Sequence, residues 1–179
     1  MVYMFLANGF EEVEALCPLD LLRRAGVEVT TVGIGGEYIT GSHGITVKAD
    51  IKDKKAKFED IEMVILPGGM PGTKNLDASN IVHKALDLAK EQNACIAAIC
   101  AAPMILGKRG DLMGKKAVCY PGFEEYLEGA TIPEAKVVAD GNIVTARGMG
   151  VALEFGLCLV EKLYGSDKAT ELRQAVIAD

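Results

Sequence analysis

The stretch Ala94-Cys-Ile-Ala-Ala-Ile99 is apolar at every position and stops at Cys100-Ala-Ala-Pro103. A strand that is apolar on both faces belongs in the middle of a parallel sheet covered on both sides, since a sheet with one wet face needs an alternating pattern. Other short apolar runs recur along the chain, with helical patterns between them. Val2 to Leu6 reads as a buried strand, followed by a helix from about Glu11 to Ala25 that Gly26 ends. Val27 to Val32 is β-branched and strand-like, and Gly35-Gly36 suits a tight hairpin turn. Met63 to Leu66 is a further strand that breaks off at Pro67-Gly68-Gly69.

A helix is expected over Ser79 to Gln92, with Ser79 as N-cap and Val82, Ala85, Leu86 and Ala89 on one buried face. Lys116 to Cys119, Val137 to Asp140 and Ile143 to Thr145 read as later strands, and Gly150 to Tyr164 as a helix closed by Gly165. This alternation predicts one three-layer α/β domain over residues 1–179 with a largely parallel sheet. Sheets of that kind place their sites beyond the carboxyl ends of the strands.

Charge and cysteine usage narrow the function classes. With 25 acids against 19 bases the net charge is −6, which argues against a nucleic-acid binder. The basic run Lys52 to Lys57 is interrupted by Asp53 and Ala56 and reads as a solvated loop. The uncharged run Ala94 to Gly107 has 14 residues, includes Pro103, and is too short to span a membrane. Met1 to Phe10 has no basic residue ahead of an apolar core, so no signal peptide is expected. Five cysteines, in no CxxC pair and in no zinc-like spacing with His43 or His83, fit a reduced cytoplasmic protein with free thiols.

Three features fall at strand ends. Cys100 ends an apolar strand, and Pro103 suits the first turn of a new helix, so the cysteine sits on a strand-to-helix turn. That is the placement of a nucleophile elbow, and amides at the helix N-terminus should lower the thiol pKa. A buried core cysteine fits the same local pattern, and it is the expectation for Cys17, Cys95, Cys119 and Cys158.

Glu11, Glu12 and Glu14 open the first helix, where acids complement the macrodipole. Glu14 stands out, because Val13 and Ala15 flank it and Pro18 should disturb the helix by withholding an N–H from its carbonyl. A carboxyl held at an apolar sheet end has a raised pKa and can act as an acid. Pro67-Gly68-Gly69-Met70 is either a tight turn or a place where backbone approaches a ligand. An amide there and one after Cys100 could together make an oxyanion hole. The GxSxG, GxxxxGK[ST], HExxH and GxGxxG patterns are all missing from the sequence. His83 reads as a surface residue, and His43, in a Gly-Ser-His-Gly loop, as an exposed turn able to reach a site.

Taken in order, LANGFEEVEAL, RRAGVEVT, VILPGG, IAAICAAP and TARGMGVALEFGL resemble the ThiJ/PfpI superfamily, in the branch of the Parkinson-disease-associated deglycase and its bacterial ThiJ-like relatives. The resemblance implies a flavodoxin-like domain, usually a homodimer. It makes Cys100 the nucleophilic, oxidation-prone thiol and Glu14 its partner carboxyl, with the Gly69 and Ala101 amides as oxyanion donors. The protease-like branch has His after the cysteine; here Ala101 stands there, so protease activity is not implied. Where the deglycase branch commonly has a histidine before a proline, Val118-Cys-Tyr-Pro121 places Tyr120, and a phenol is a poor base at neutral pH.

The function expected is therefore a glyoxalase or deglycase that acts on methylglyoxal or another early glycation adduct, with no metal or organic cofactor. The alternative is a redox sensor or chaperone-like stress protein, in which Cys100 is oxidised to a sulfinate held by protonated Glu14.

Overall fold

The computed structural model describes residues 1–178, so Asp179, the last position of the expected domain, lies outside the described residues. The strands are β1 (Val2–Leu6), β2 (Val29–Gly33), β3 (Tyr38–Thr40), β4 (Thr46–Lys48), β5 (Ile51–Lys52), β6 (Met63–Leu66), β7 (Cys95–Ile99), β8 (Val137–Asp140) and β9 (Ile143–Ala146). The helices are α1 (Glu12–Arg24), α2 (Gly72–Asp77), α3 (Asn80–Glu91), α4 (Pro103–Lys108), α5 (Ala152–Tyr164) and α6 (Ser166–Ala175).

Seven strands form one sheet in the order β5-β2-β1-β6-β7-β9-β8. Every pairing is parallel except β8 with β9. Alternate residues of each strand feed separate cores on the two faces. Phe5, Val64, Leu66, Ile96 and Ala98 pack with Leu76, Val82, Leu86 and Ile105 of α2, α3 and α4. Met4, Leu6, Ile65, Ala97 and Ile99 pack on the other face with Leu21, Leu22, Phe155 and Leu159 of α1 and α5. This is the three-layer α/β sandwich that the alternation of elements predicts and the flavodoxin-like domain that the resemblance implies. Among the described residues no helix is long and apolar enough to cross a membrane.

Several local expectations need correction. Gly35 does turn the chain, at φ +80, but no hairpin joins β2 to β3. Both edges of β2 are taken by parallel neighbours, so β3 pairs antiparallel with β4 in a separate two-stranded sheet. Lys116 to Cys119 is not a strand and keeps one bridge, Lys116 to Thr131. The edge beside β9 belongs to β8, so the Val118 N–H donates instead to Thr145 Oγ1 at 2.9 Å. Ser79 stands at the N-cap of α3, but its side chain makes no capping bond.

Pro18 does not break α1 either: the helix runs through it from Glu12 to Arg24. Tertiary packing outweighs the missing hydrogen bond there. A Cβ on Gly156 of α5 would lie 2.9 Å from Pro18 Cα and 2.6 Å from Leu21 Cδ1, so the two helices touch through the glycine. Gly156→Val should lower the unfolding free energy by about 1–3 kcal/mol, read from the urea midpoint. An unchanged midpoint would contradict that close packing.

Candidate active site

The three sequence features meet where the strand order reverses. β1 has β2 on one side and β6 on the other, and the chain leaving β1, β6 and β7 converges at their carboxyl ends. Gly68 is the meeting point. Its carbonyl accepts the Glu11 N–H at 2.9 Å, and its own N–H donates to Glu14 Oε2 at 3.0 Å. A side chain on Gly68 would strike both partners, with a Cβ 2.5 Å from Glu14 Oε2 and 2.6 Å from Cys100 Cβ. Glu11 caps α1, accepting the Glu14 N–H at 2.7 Å, which fixes the turn of helix that carries Glu14.

Cys100 lies on the elbow between β7 and α4, with Pro103 as the first residue of α4. Its φ is +65, a left-handed conformation that a side chain makes unfavourable by about 1–3 kcal/mol. Neighbouring backbone holds it there: the Cys100 N–H donates to the Ala146 carbonyl at 2.9 Å, and the Cys100 carbonyl accepts the Tyr120 N–H at 2.8 Å. The Glu14 carboxyl and the backbone amides of Gly69 and Ala101 are the polar groups that act on the Cys100 thiol.

The electrostatics differ from the expected lowered thiol pKa. Burial is the main force on Cys100 and the Glu14 charge adds to it; together they push the thiol up to about 12 against the opposing pull of the two amides. Burial also lifts Glu14 to about 7, although Cys100, Gly68 N–H and Met149 N–H all stabilise its charged form. Glu14 and Cys100 therefore form a pair that keeps one proton between them from about neutral pH upward. The two backbone amides lower the thiol pKa, but burial and the neighbouring carboxyl matter more.

Glu12 does more than complement the helix dipole. Its carboxylate is buried and accepts the His43 N–H at 2.8 Å and meets His43 Nδ1 at 2.9 Å. Burial raises its pKa, but the His43 ring and the amides of Glu12, His43 and Ile45 outweigh that and bring it down to about 2. Glu12 thus clamps the loop between β3 and β4, and His43, largely exposed, reaches the mouth of the site. The ligand-type atoms of Glu11, Glu12 and His43 lie within 4.8 Å of one another, but these groups are already used in capping α1 and holding the loop. Nothing in the sequence spacing of Glu12 and His43 announces their contact. His83 is half-buried rather than a plain surface residue, with Nε2 2.6 Å from the Asp77 carbonyl and Nδ1 3.0 Å from Arg109.

Above Cys100 opens a cleft of about 580 Å³, bounded by Glu11, Glu14, His43, Tyr120, Lys136, Arg147 and Met149 among others. A smaller recess of about 160 Å³ also adjoins Cys100, between Gly69, Met70, Ala101, Tyr120 and Phe123. The Tyr120 ring rests beside Gly148, where an added Cβ would come 3.3 Å from Cδ2. The five residues singled out in the sequence, Cys100, Glu14, Gly69, Ala101 and Tyr120, are therefore brought together.

Fold and site define a parallel α/β protein with a cysteine on a strained elbow, facing a buried carboxyl. The DJ-1/PfpI family model matches residues 1–162, and the chain belongs to that family. It is 36% identical to Protein dj-1beta of Drosophila melanogaster over 177 residues, covering 97% of this chain and 95% of that one. A protein from Pyrococcus horikoshii named a deglycase is 35% identical over 153 residues, covering 82% of this chain and 90% of that one. Among solved structures, Toxoplasma gondii DJ-1 in an oxidized form superposes with a TM-score of 0.94 at 36% identity, covering 98% of this chain and 97% of that one.

Two stability effects follow from the carboxylates. Glu14 is raised, so between about 4.5 and about 7 the folded chain holds a proton that the unfolded chain has released, and stability falls as pH rises through that window. Glu14→Gln should therefore be about 1–3 kcal/mol more stable than the parent at pH 8 and equal to it near pH 4, by urea unfolding. A variant less stable at pH 8 would contradict the burial of that charge. Glu12 is depressed, so its contribution is present above about 4.5 and lost as pH falls toward about 2. Glu12→Gln should lose about 1–3 kcal/mol at pH 7, a deficit that closes in acid. A deficit that did not depend on pH would remove the charged clamp.

Proposed function

We propose that the protein is a cysteine-dependent glyoxalase or deglycase, acting on methylglyoxal or a related glycation adduct. The observation that carries this is the meeting of Cys100 and Glu14 at Gly68, where an added Cβ would lie 2.5 Å from Glu14 Oε2 and 2.6 Å from Cys100 Cβ, in a cleft that also adjoins Gly69 and Ala101. The Pyrococcus horikoshii relative named a deglycase adds support. Cys100 adds across the aldehyde, forming a C–S bond while the thiol proton passes through Glu14 to the aldehyde oxygen. Glu14 then takes the proton from the former aldehyde carbon and returns one to the neighbouring carbon, turning the hemithioacetal into a thioester. The Gly69 and Ala101 amides hold the negative oxygen that develops in these steps. Water cleaves the C–S bond, releasing lactate and restoring the thiol. Tyr120 offers a hydrogen-bond donor at the mouth of the site. No cofactor enters the scheme.

The active state is the pair with one shared proton, so kcat/KM should rise with pH through about 7. Lactate formed from methylglyoxal is the assay. Cys100→Ser should abolish it, and Glu14→Gln should lower kcat by about 100-fold or more. Lactate formation unaffected by Cys100→Ser would overturn the reading.

A redox role at the same thiol has its own support: Cys100 is half-buried and lines a recess with Gly69 and Ala101, and the Toxoplasma gondii relative is described as oxidized. On that reading mild peroxide adds oxygen to Cys100 first, and protonated Glu14 donates to the sulfinate. Peptide mapping should find Cys100 oxidised before the other four thiols; even modification would remove this role. Both readings keep one domain over residues 1–179, a homodimer, and a cytoplasmic location. Sedimentation as a monomer would exclude the dimer.

A further inference from the structure

The cleft above Cys100 is charged asymmetrically. The start of α1 brings Glu11 and Glu14 to one wall, while the residue before β8 and the residue after β9, Lys136 and Arg147, line the other. Glu11 is engaged with the Glu14 N–H and lies 3.9 Å from the His43 ring. Among the described residues the cations opposite have no such partner. Arg23, Arg24 and Arg109 each pair with a carboxylate, and Arg173 donates to the Ala178 carbonyl. Among the described residues, the Arg147 and Lys136 side chains enter no ion pair or hydrogen bond.

Strand register makes the two cations neighbours. Val137 pairs with Ala146 in the antiparallel β8–β9 ladder, so Lys136 stands directly across from Arg147, and the Arg147 N–H donates to the Lys136 carbonyl at 3.0 Å. Like charges directly opposite each other in a ladder are destabilising. An anion seated between them would remove that repulsion. Register also places them beside the chemistry. Ile99 pairs with Ala146 across β7 and β9 and the Cys100 N–H donates to the Ala146 carbonyl at 2.9 Å, so Arg147 directly follows the residue that holds the elbow and lines the same cleft as Cys100. A guanidinium presents a fork that matches a carboxylate or phosphate, and a concave wall concentrates its field.

We propose that the cleft selects 2-oxoaldehydes carrying a second, anionic group, which Arg147 and Lys136 hold while Cys100 attacks the aldehyde. This rests on the glyoxalase reading and names its substrate class. With 4,5-dioxopentanoate, the thiol adds to the aldehyde carbon and its proton goes to the aldehyde oxygen. Glu14 moves the C–H proton to the neighbouring carbon, whose oxygen becomes a hydroxyl. Water then cleaves the resulting thioester to 2-hydroxyglutarate and the free thiol. With 3-phosphooxy-2-oxopropanal the same steps yield 3-phosphoglycerate. Each conversion consumes one water and needs no oxidant or reductant.

The test compares kcat/KM for these two compounds with that for methylglyoxal, in the parent, Arg147→Met and Lys136→Met, each checked for folding by circular dichroism. The parent should favour one anionic substrate over methylglyoxal by about 10-fold or more, and Arg147→Met should erase most of that ratio. Whichever compound shows the larger ratio identifies the anion as carboxylate or phosphate. A parent ratio near one, or a ratio unchanged in Arg147→Met, overturns the proposal while leaving the glyoxalase reading intact. If no aldehyde is turned over, the glyoxalase reading fails, and labelling of Cys100 by N-ethylmaleimide judges the anion site by itself. Succinate or inorganic phosphate should then slow labelling in the parent and not in Arg147→Met; equal labelling rates overturn the site.

Discussion

The pair of hydrogen bonds on Gly68 sets the geometry on which the site depends. One runs from the Glu11 N–H to its carbonyl and the other from its N–H to the Glu14 carboxylate. Together they fasten the start of α1 to the end of β6, and β6 is in register with β7, which delivers Cys100. The absence of a side chain at 68 lets a carboxyl and a thiol from distant parts of the chain touch. Both groups are then withdrawn from water by the same packing that covers the sheet. Their shared proton is thus a product of the fold, because neither α1 nor the elbow would perturb its residue in this way alone.

The chain makes its architecture legible wherever burial decides local structure. Ala94 to Ile99 and Met63 to Leu66 are apolar throughout and, apart from half-buried Cys95, are found buried between two helical layers. Val82, Ala85, Leu86 and Ala89 mark the buried face of α3, and all four are fully covered. Where partners rather than periodicity decide, the sequence is silent. α6 buries Leu172 and little else, so it shows no apolar stripe, and α2 is a short polar turn after Pro71. Lys116 to Cys119 has the composition of a strand, yet the edge it would need is already occupied.

The same division runs through the site. Cys100, the glycine pair and Glu14 sit at strand ends, and topology alone brings strand ends together in a sheet of this type. The electrostatics were less legible. Position at a strand-to-helix turn points to a lowered thiol pKa at Cys100, but burial outweighs the amides and the Glu14 charge, which comes from another element, adds to it; sequence spacing reveals neither. The Glu12–His43 contact is hidden for the same reason, since it joins α1 to a hairpin loop about 30 residues away.

The backbone at Cys100 bears on how this protein can be engineered. Its φ of +65 suits glycine, which adopts that conformation without steric penalty. A directed-evolution campaign scored on heat resistance alone would reward glycine at position 100, because relaxing the elbow raises stability whatever becomes of the chemistry. Thermal tolerance is therefore a misleading score for variants in this fold, and a library built for robustness has to keep the elbow fixed by design.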